Sequence, residues 1–202
     1  QLERIVLDSG ADVALMGVEP TYPSEKYGYI VPDAPAEASL PYSYAGVLRF
    51  EEKPKEARAA ELIRGHALWN CGVFAFRLGF LLETLKRKGL PVRYEDAVAS
   101  YAGFPKTSFD YEVLERGGRF VVHPYKGNWK DLGTWGTLTE EMDAHLLGKG
   151  TIDGNSANTH VINELDIPVT VIDIPNAIVA ASPDGILVAD KAASSRVKEL
   201  MK

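Results

Sequence analysis

FEEKPKEARAAELIRGHALWNCGVFAF, Phe50 to Phe76, carries the alternation that decides the fold. It opens on the end of an aromatic and β-branched run, Tyr44 to Phe50, suited to a strand. Lys53-Pro54 breaks that run, because proline fixes its own φ and lacks the N–H a ladder needs. Glu56 to Arg64 is alanine-rich, places apolar side chains at Ala59, Ala60 and Ile63, and stops at Gly65, as a helix does. Leu68 to Phe76 returns to strand character. Strand, helix and strand in one short stretch predict an α/β domain.

Working outward, Leu2 to Ser9 has helical spacing at Leu2, Ile5 and Val6 and closes at Gly10. Val13 to Val18 and Tyr27 to Val31 read as strands, with Pro-rich turns between the early strands. Downstream, Leu78 to Lys88 predicts a helix ending at Gly89. Ser108 to Arg116 predicts another, capped by Ser108 or Asp110 and stopped by Gly117-Gly118. Phe120 to His123 is a strand. Trp135, Leu138, Met142 and Leu146 recur at helical spacing, and Thr137 with Glu140 has capping-box spacing, so a helix is expected from near Thr134 to about Leu147. Beyond Gly150 come short β-branched runs, Val161-Ile162, Val169 to Ile172, Ile178-Val179 and Ile186 to Val188. They recur roughly every eight residues, a texture compatible with a small β-solenoid or prism. Ser194 to Lys202 is a short helix. The expected domains are therefore 1–149, α/β, and 150–202, β-rich and ending in a helix.

The 202 residues carry a net charge of -6 with no clustered lysines or arginines, which argues against a nucleic-acid or anionic-membrane partner. No apolar run is long enough to span a bilayer, and Gln1-Leu2-Glu3-Arg4 lacks the pattern of a signal peptide. With one cysteine, Cys71, no internal disulfide is available, so the chain reads as cytoplasmic. His66, His123, His145 and His160 have no metal-ligand spacing and read as structural or surface groups.

Four places can carry chemistry. In Tyr27-Gly28-Tyr29-Ile30, a glycine between two tyrosines lets a ligand approach the backbone beside aromatic faces and hydroxyls, which suits a sugar. The alternative is a bulge among core tyrosines. In Phe50-Glu51-Glu52-Lys53-Pro54, Glu52 could accept hydrogen bonds from hydroxyls and Lys53 could neutralise a phosphate if the backbone turns there, or the pair is a solvated hairpin end. In Leu68 to Phe74, alternation puts Asn70 and Gly72 on one face, an amide beside a gap. Cys71 has no histidine suggesting itself as a base and receives no catalytic role. In Asn128 to Trp135, Asp131 precedes a predicted helix start. It either caps the helix or holds Mg²⁺ against phosphates. Asp110 is a ligand residue or a cap.

In order, Gly-Val-Glu-Pro-Thr (17–21), Tyr-Gly-Tyr-Ile (27–30), Glu-Lys-Pro (52–54), Trp-Asn-Cys-Gly-Val-Phe (69–74), Phe-Asp-Tyr-Glu-Val-Leu-Glu (109–115) and Trp-Lys-Asp-Leu-Gly-Thr-Trp (129–135) closely resemble mannose-1-phosphate guanylyltransferases. The resemblance implies an incomplete Rossmann-like nucleotidyltransferase domain with a mixed sheet, followed by a short left-handed β-helical domain. It implies transfer of a guanylyl group from GTP to mannose 1-phosphate, giving GDP-mannose and pyrophosphate with Mg²⁺. By it, Gly28 and Asn70 contact the sugar, Glu52 binds its hydroxyls, Lys53 meets the phosphate, and Asp131 holds the metal, with Tyr27, Gly72 and Asp110 as further substrate-binding candidates. Lys53 and Asp131 are then the catalytic pair. The family's Gly-x-Gly-x-Arg nucleotide segment and its second metal aspartate do not occur in these 202 residues, so the chain is expected to be a fragment inactive alone. A thymidylyl- or uridylyltransferase, or a non-catalytic sugar-phosphate-binding or oligomerisation module, are the rival expectations. Short β appendages often pair, which makes a homodimer through 150–202 a further one.

Overall fold

The computed structural model describes residues 1–35 and 42–200. Part of the Pro-rich connection, and the last two residues of the expected C-terminal helix, lie outside them. Two compact units result, 1–129 and 130–202.

In the first unit, helix α1 (Leu2–Ser9) ends as expected on Gly10 in the left-handed conformation. Strands β1 (Val13–Val18), β2 (Gly28–Pro32) and β3 (Ala45–Glu52) follow, then α2 (Glu56–Arg64) and β4 (Leu68–Phe76). Next come α3 (Leu78–Arg87), α4 (Tyr94–Ala99), a single π-helical turn over Asp110–Leu114, and β5 (Phe120–Pro124). The strands lie in the order β1-β4-β2-β3-β5, and β5 also pairs with β1, so the sheet closes into a barrel. It is mixed: β1 with β5 is parallel and the other four pairings are antiparallel. Val13, Leu15, Ile30, Phe50, Leu68 and Val122 fill the core together with Val113 and Leu114 from the π-turn. Tyr29, Leu62 and Trp69 belong to a second cluster under α2.

Two helices depart from expectation. The segment 108–116 narrows to the π-turn, closed by the Glu115 N–H donating to the Asp110 carbonyl at 2.9 Å. α4 carries Val98 and Tyr94 on its exposed surface, so no buried stripe announced it.

The second unit opens with α5 (Trp135–Glu140), which begins where expected, but the capping box is formed by Thr134 with Thr137 and not by Thr137 with Glu140, since Thr134 is the residue left outside the helix. The helix does not reach Leu147. Leu146 and Leu147 form β6 and pair in parallel with β8 (His160–Asn163), which packs Leu146 against the cluster of Val161, Val171 and Val179 while Leu147 stays exposed. This pairing also places β6 in the second unit, ahead of the boundary expected at 149/150. β7 (Gly150–Ile152) pairs in parallel with β9 (Val169–Val171), and β10 (Ala177–Ser182) lies parallel to β8 and antiparallel to β11 (Gly185–Asp190). Leu146 sits beside Val161, and Val161 beside Val179, so successive rungs are 15 and 18 residues apart. The eight-residue texture is thus two strands per turn. The same stacking brings the His145 and His160 rings face to face at 4.2 Å. A 3₁₀ turn (Ser194–Arg196) and α6 (Val197–Leu200) end the described chain.

Gly148 joins β6 to β7 at φ 89°, and a Cβ there would overlap the carbonyl of Asn163. Gly148→Ala is expected to destabilise the second unit by roughly 1–3 kcal/mol, from the left-handed backbone with overlap added. Thermal unfolding of the variant checks this; an unchanged midpoint contradicts the ladder geometry.

Candidate sugar-phosphate site

β2 lies between β3 and β4. Gly28 pairs with Glu52 on β3, while Tyr29 pairs with Trp69 and Ile30 with Leu68 on β4. One further step of the same register sets Gly28 opposite Asn70, and Asn70 is in turn opposite Gly17 on β1. Directly opposed residues of antiparallel strands point to the same face. Glu52 and Asn70 therefore face the same way across a rung whose other two members, Gly28 and Gly17, have no side chain. The Glu52 carboxyl leans over the gap. A Cβ on Gly28 would come within 2.5 Å of Glu52 Oε2 and of Phe50 Cζ. Glycine here is required by close approach rather than by an unusual φ.

Alternation along a regular strand would send Lys53 to the opposite face from Glu52. Lys53 instead has φ 48° while its N–H still donates to the Tyr27 carbonyl at 3.2 Å. A left-handed non-glycine residue costs about 1–3 kcal/mol, and here it turns the lysine back onto its neighbour. Lys53 Nζ lies 2.9 Å from Glu52 Oε1. The Glu52 side chain is 6% exposed and that of Lys53 53% exposed, so the pair has a sunken anion and a cation reaching solvent. Burial, with smaller contributions from Asp110 and Glu115, pushes the Glu52 carboxyl above the usual carboxylate range despite the lysine. Lys53 is held above its usual value by hydrogen bonding and attraction to Glu52. It presents a dependable positive charge.

Asn70 is held from two sides. Its Nδ2 donates to Asp110 Oδ1 at 3.0 Å, and its Oδ1 accepts the Gly72 N–H at 3.1 Å. Simple alternation does not relate Asn70 to Gly72. The β1–β4 register steps from Gly17↔Asn70 to Leu15↔Phe74, so β4 bulges over 71–73 and Gly72 takes φ 69°. The glycine turns its N–H back onto the amide, where the sequence pattern predicted a neighbour on a flat face. Asp110, offered above as a helix cap, spends its carboxylate on Asn70, while Ser108 Oγ accepts the Tyr111 N–H.

On the other face of β2, Tyr27 makes edge contacts with Trp69 at 4.8 Å and Trp129 at 5.4 Å between ring centroids. Tyr22 meets Trp69 edge-on at 5.1 Å. Trp69 Nε1 is buried without a hydrogen-bond partner. The sequence pattern missed this aromatic group because its members come from four separate segments. Cys71 has its thiol pushed up to about 12 by burial, in keeping with no nucleophilic role.

The structure thus brings Gly28, Glu52, Lys53, Asn70, Gly72 and Asp110 together in the first unit, while the Tyr27 ring, expected among them, packs with Tyr29 and Trp69 on the other face of β2. Asp131 belongs to the second unit. It is exposed, and its Oδ1 accepts the Gly133 N–H at 2.9 Å in a side-chain turn, with Thr134 rather than Asp131 capping α5. Mg²⁺ prefers six oxygen ligands, and Asp131 offers one carboxylate with an oxygen already engaged. Among the described residues, no three His, Cys, Asp or Glu side chains form a metal-holding group. These residues by themselves do not make a resident metal site. No helix among the described residues is long and apolar enough to cross a membrane.

Residues 4–146 match the family model described as Nucleotidyl transferase. Over 212 aligned residues the chain is 32% identical to alginate biosynthesis protein AlgA of Pseudomonas putida, covering 95% of this chain and 43% of that protein. It is 29% identical to a mannose-1-phosphate guanylyltransferase of Escherichia coli, covering 92% of this chain and 43% of that protein. In three dimensions it is similar to a mannose-1-phosphate geranyltransferase from Thermus thermophilus, with a TM-score of 0.71 and 29% identity over 98% of this chain and 62% of that one. The chain spans less than half the length of the curated relatives it matches. The family match takes in β1 through β5 with the whole rung they form, and on that ground this chain belongs to the nucleotidyl transferase family.

Proposed function

We propose that this chain binds the sugar 1-phosphate substrate of a nucleotidyl transfer, with mannose 1-phosphate as the sugar phosphate and GTP as the donor in the full-length protein. The observation that carries the reading is the rung Glu52–Gly28–Asn70 with Lys53 beside it. A pyranose can lie over the Gly28 gap with hydroxyls donating to Glu52 and exchanging hydrogen bonds with the Asn70 amide. Its phosphate then meets Lys53. Mannose and guanine are favoured over other sugars and bases by the similarity to a mannose-1-phosphate guanylyltransferase.

In the reaction, a phosphate oxygen of the sugar phosphate attacks the α-phosphorus of the nucleoside triphosphate, one P–O bond forms, and the bond to pyrophosphate breaks. The attacking oxygen is already anionic, so no general base is needed. The task of the protein is to align two repelling phosphates and offset their charge. Lys53 contributes by holding one of them at a fixed place. A divalent cation would offset charge on the triphosphate, and Asp131 is the residue of this chain proposed to face it. The stacked parallel ladders of 146–182 support the reading of the C-terminal unit as the short left-handed β-helix that the resemblance implies. Exposed Ile186 and Val188 on edge strand β11 support pairing of two chains there. The single partly buried cysteine fits a cytoplasmic setting.

Titration calorimetry of the 202-residue chain with mannose 1-phosphate tests the reading. Saturable binding is expected, weakened at least about tenfold, or 1.4 kcal/mol, in Lys53→Met. Absence of binding by the unaltered chain contradicts it. The same chain incubated with GTP, mannose 1-phosphate and Mg²⁺ is expected to release no GDP-mannose, since it holds no Gly-x-Gly-x-Arg segment; turnover overturns that part.

The raised carboxyl of Glu52 gives a pH signature. A folded pKa above the unfolded one favours folding at low pH, and that contribution is lost as pH rises through the raised value. Glu52→Gln, which stays neutral, should therefore gain stability relative to the unaltered chain as pH rises from about 4 to 7. Thermal midpoints of the two proteins across that range decide it, and a difference that stays flat or moves the other way is the contrary result.

A further inference from the structure

We infer that Glu115 is a positioning residue for the sugar-phosphate site, acting with Asp110 through the π-helical turn 110–114 as a clamp on β3 and β4; the inference rests on the function proposed above.

The need for it follows from the barrel. Successive N–H groups along a strand point to opposite edges, and the Lys53 N–H goes to the carbonyl of Tyr27, the residue just before β2. The Glu52 N–H therefore points away from β2. β3's neighbour on that side, β5, pairs with it at Ala45 and Gly46 near the strand's start. At Glu52 the sheet supplies no acceptor. Glu115 supplies it from 63 residues away, its Oε1 accepting the Glu52 N–H at 2.8 Å. Five residues earlier, Asp110 Oδ1 accepts the Asn70 Nδ2–H at 3.0 Å. One hydrogen bond fixes the distance between the two carboxylates, from the Glu115 N–H to the Asp110 carbonyl at 2.9 Å.

The π geometry explains how both can reach. In an α-helix, residues five apart stand about 140° apart around the axis and would serve different surfaces. One wide turn lets the two ends of the segment serve adjacent strands. Single π-turns inside folded proteins concentrate at functional sites. The turn is also anchored independently of its two ligands. Val113 and Leu114 are 7% and 1% exposed in the barrel core, and Glu112 pairs with Lys88 and, at 2.8 Å, with Arg116. Its outward carboxylates thus hold the two residues flanking Gly28, the Glu52 backbone and the Asn70 side chain. The placement sets three carboxylates near one another, with Lys53 the cation paired to Glu52. Such an arrangement costs electrostatic energy, and the two hydrogen bonds are what it secures.

The test compares the 202-residue chain with Glu115→Ala and Glu115→Gln, the latter keeping an acceptor oxygen. Calorimetry with mannose 1-phosphate is expected to show binding at least tenfold weaker for Glu115→Ala, and within threefold of the unaltered chain, or tighter, for Glu115→Gln. Amide hydrogen exchange without ligand is expected to speed up at Glu52 by tenfold or more in Glu115→Ala, with Phe50 and Ile30 unchanged. Unchanged binding in Glu115→Ala, equal loss in both variants, or unchanged exchange at Glu52 overturns the inference. If the unaltered chain does not bind mannose 1-phosphate, the function proposed above fails, and the exchange at Glu52 alone then decides whether Glu115 holds the strand end.

Discussion

Everything proposed for this chain depends on the register of β2 between β3 and β4. A slip of one residue would turn each side chain to the other face, moving Tyr29 onto the Gly28 rung and Ile30 out of the core. Burial holds the register. Tyr29 and Ile30 are fully enclosed, each in its own cluster, so the alternative pairing would put each into a space packed for the other's size and shape. Tyr29 adds a second lock, its hydroxyl donating to the Ser24 carbonyl and accepting the Ser24 N–H. The core thus sets the chemistry indirectly. By fixing Gly28 between Glu52 and Asn70, it makes a gap with a carboxyl on one side and an amide on the other.

Around that gap the structure spends stability on placement. Lys53 adopts a left-handed backbone that lysine disfavours, Glu52 keeps its carboxyl sunken, and Trp69 keeps a buried indole N–H without a partner. Each costs folding free energy, and all three sit within two residues of the rung. Other left-handed residues lie elsewhere, at His66, Asn158, Asp173 and Asn176, but at the rung the unusual backbone is joined to a sunken carboxyl and a solvent-reaching ammonium, and that combination suits a ligand. The charge pattern suits a phosphorylated sugar: the anionic carboxyl is sheltered where hydroxyls would lie, and the ammonium reaches solvent where a phosphate would.

Much of this was legible in the sequence. α1, α2, β1 and β4 fall on their expected residues because apolar spacing and Gly stops agree there. Gly28, Glu52, Lys53 and Asn70 could be named because motif order along the chain is specific even where each motif is weak. What escaped was of another kind. Leu146 fits a helical stripe and a parallel ladder equally well, and only the presence of Val161 one rung on selects the ladder. The bulge at 71–73 depends on how many residues β1 offers opposite β4. The role of Glu115 rests on a donor that strand order leaves unpaired. These are decided by partners distant in sequence, and local periodicity carries no record of them. The spacing of Asp110 and Glu115, five residues with Val113 and Leu114 buried between, was the one local hint.

The central claim is that one rung of the barrel recognises a sugar phosphate. The most direct measurement is a backbone and side-chain amide NMR titration of the 202-residue chain with mannose 1-phosphate. The account predicts shifts concentrated at Gly28, Glu52, Lys53 and the Asn70 side-chain amide, saturating together with a single dissociation constant. Saturable shifts confined to other residues, with these four unmoved, would contradict it.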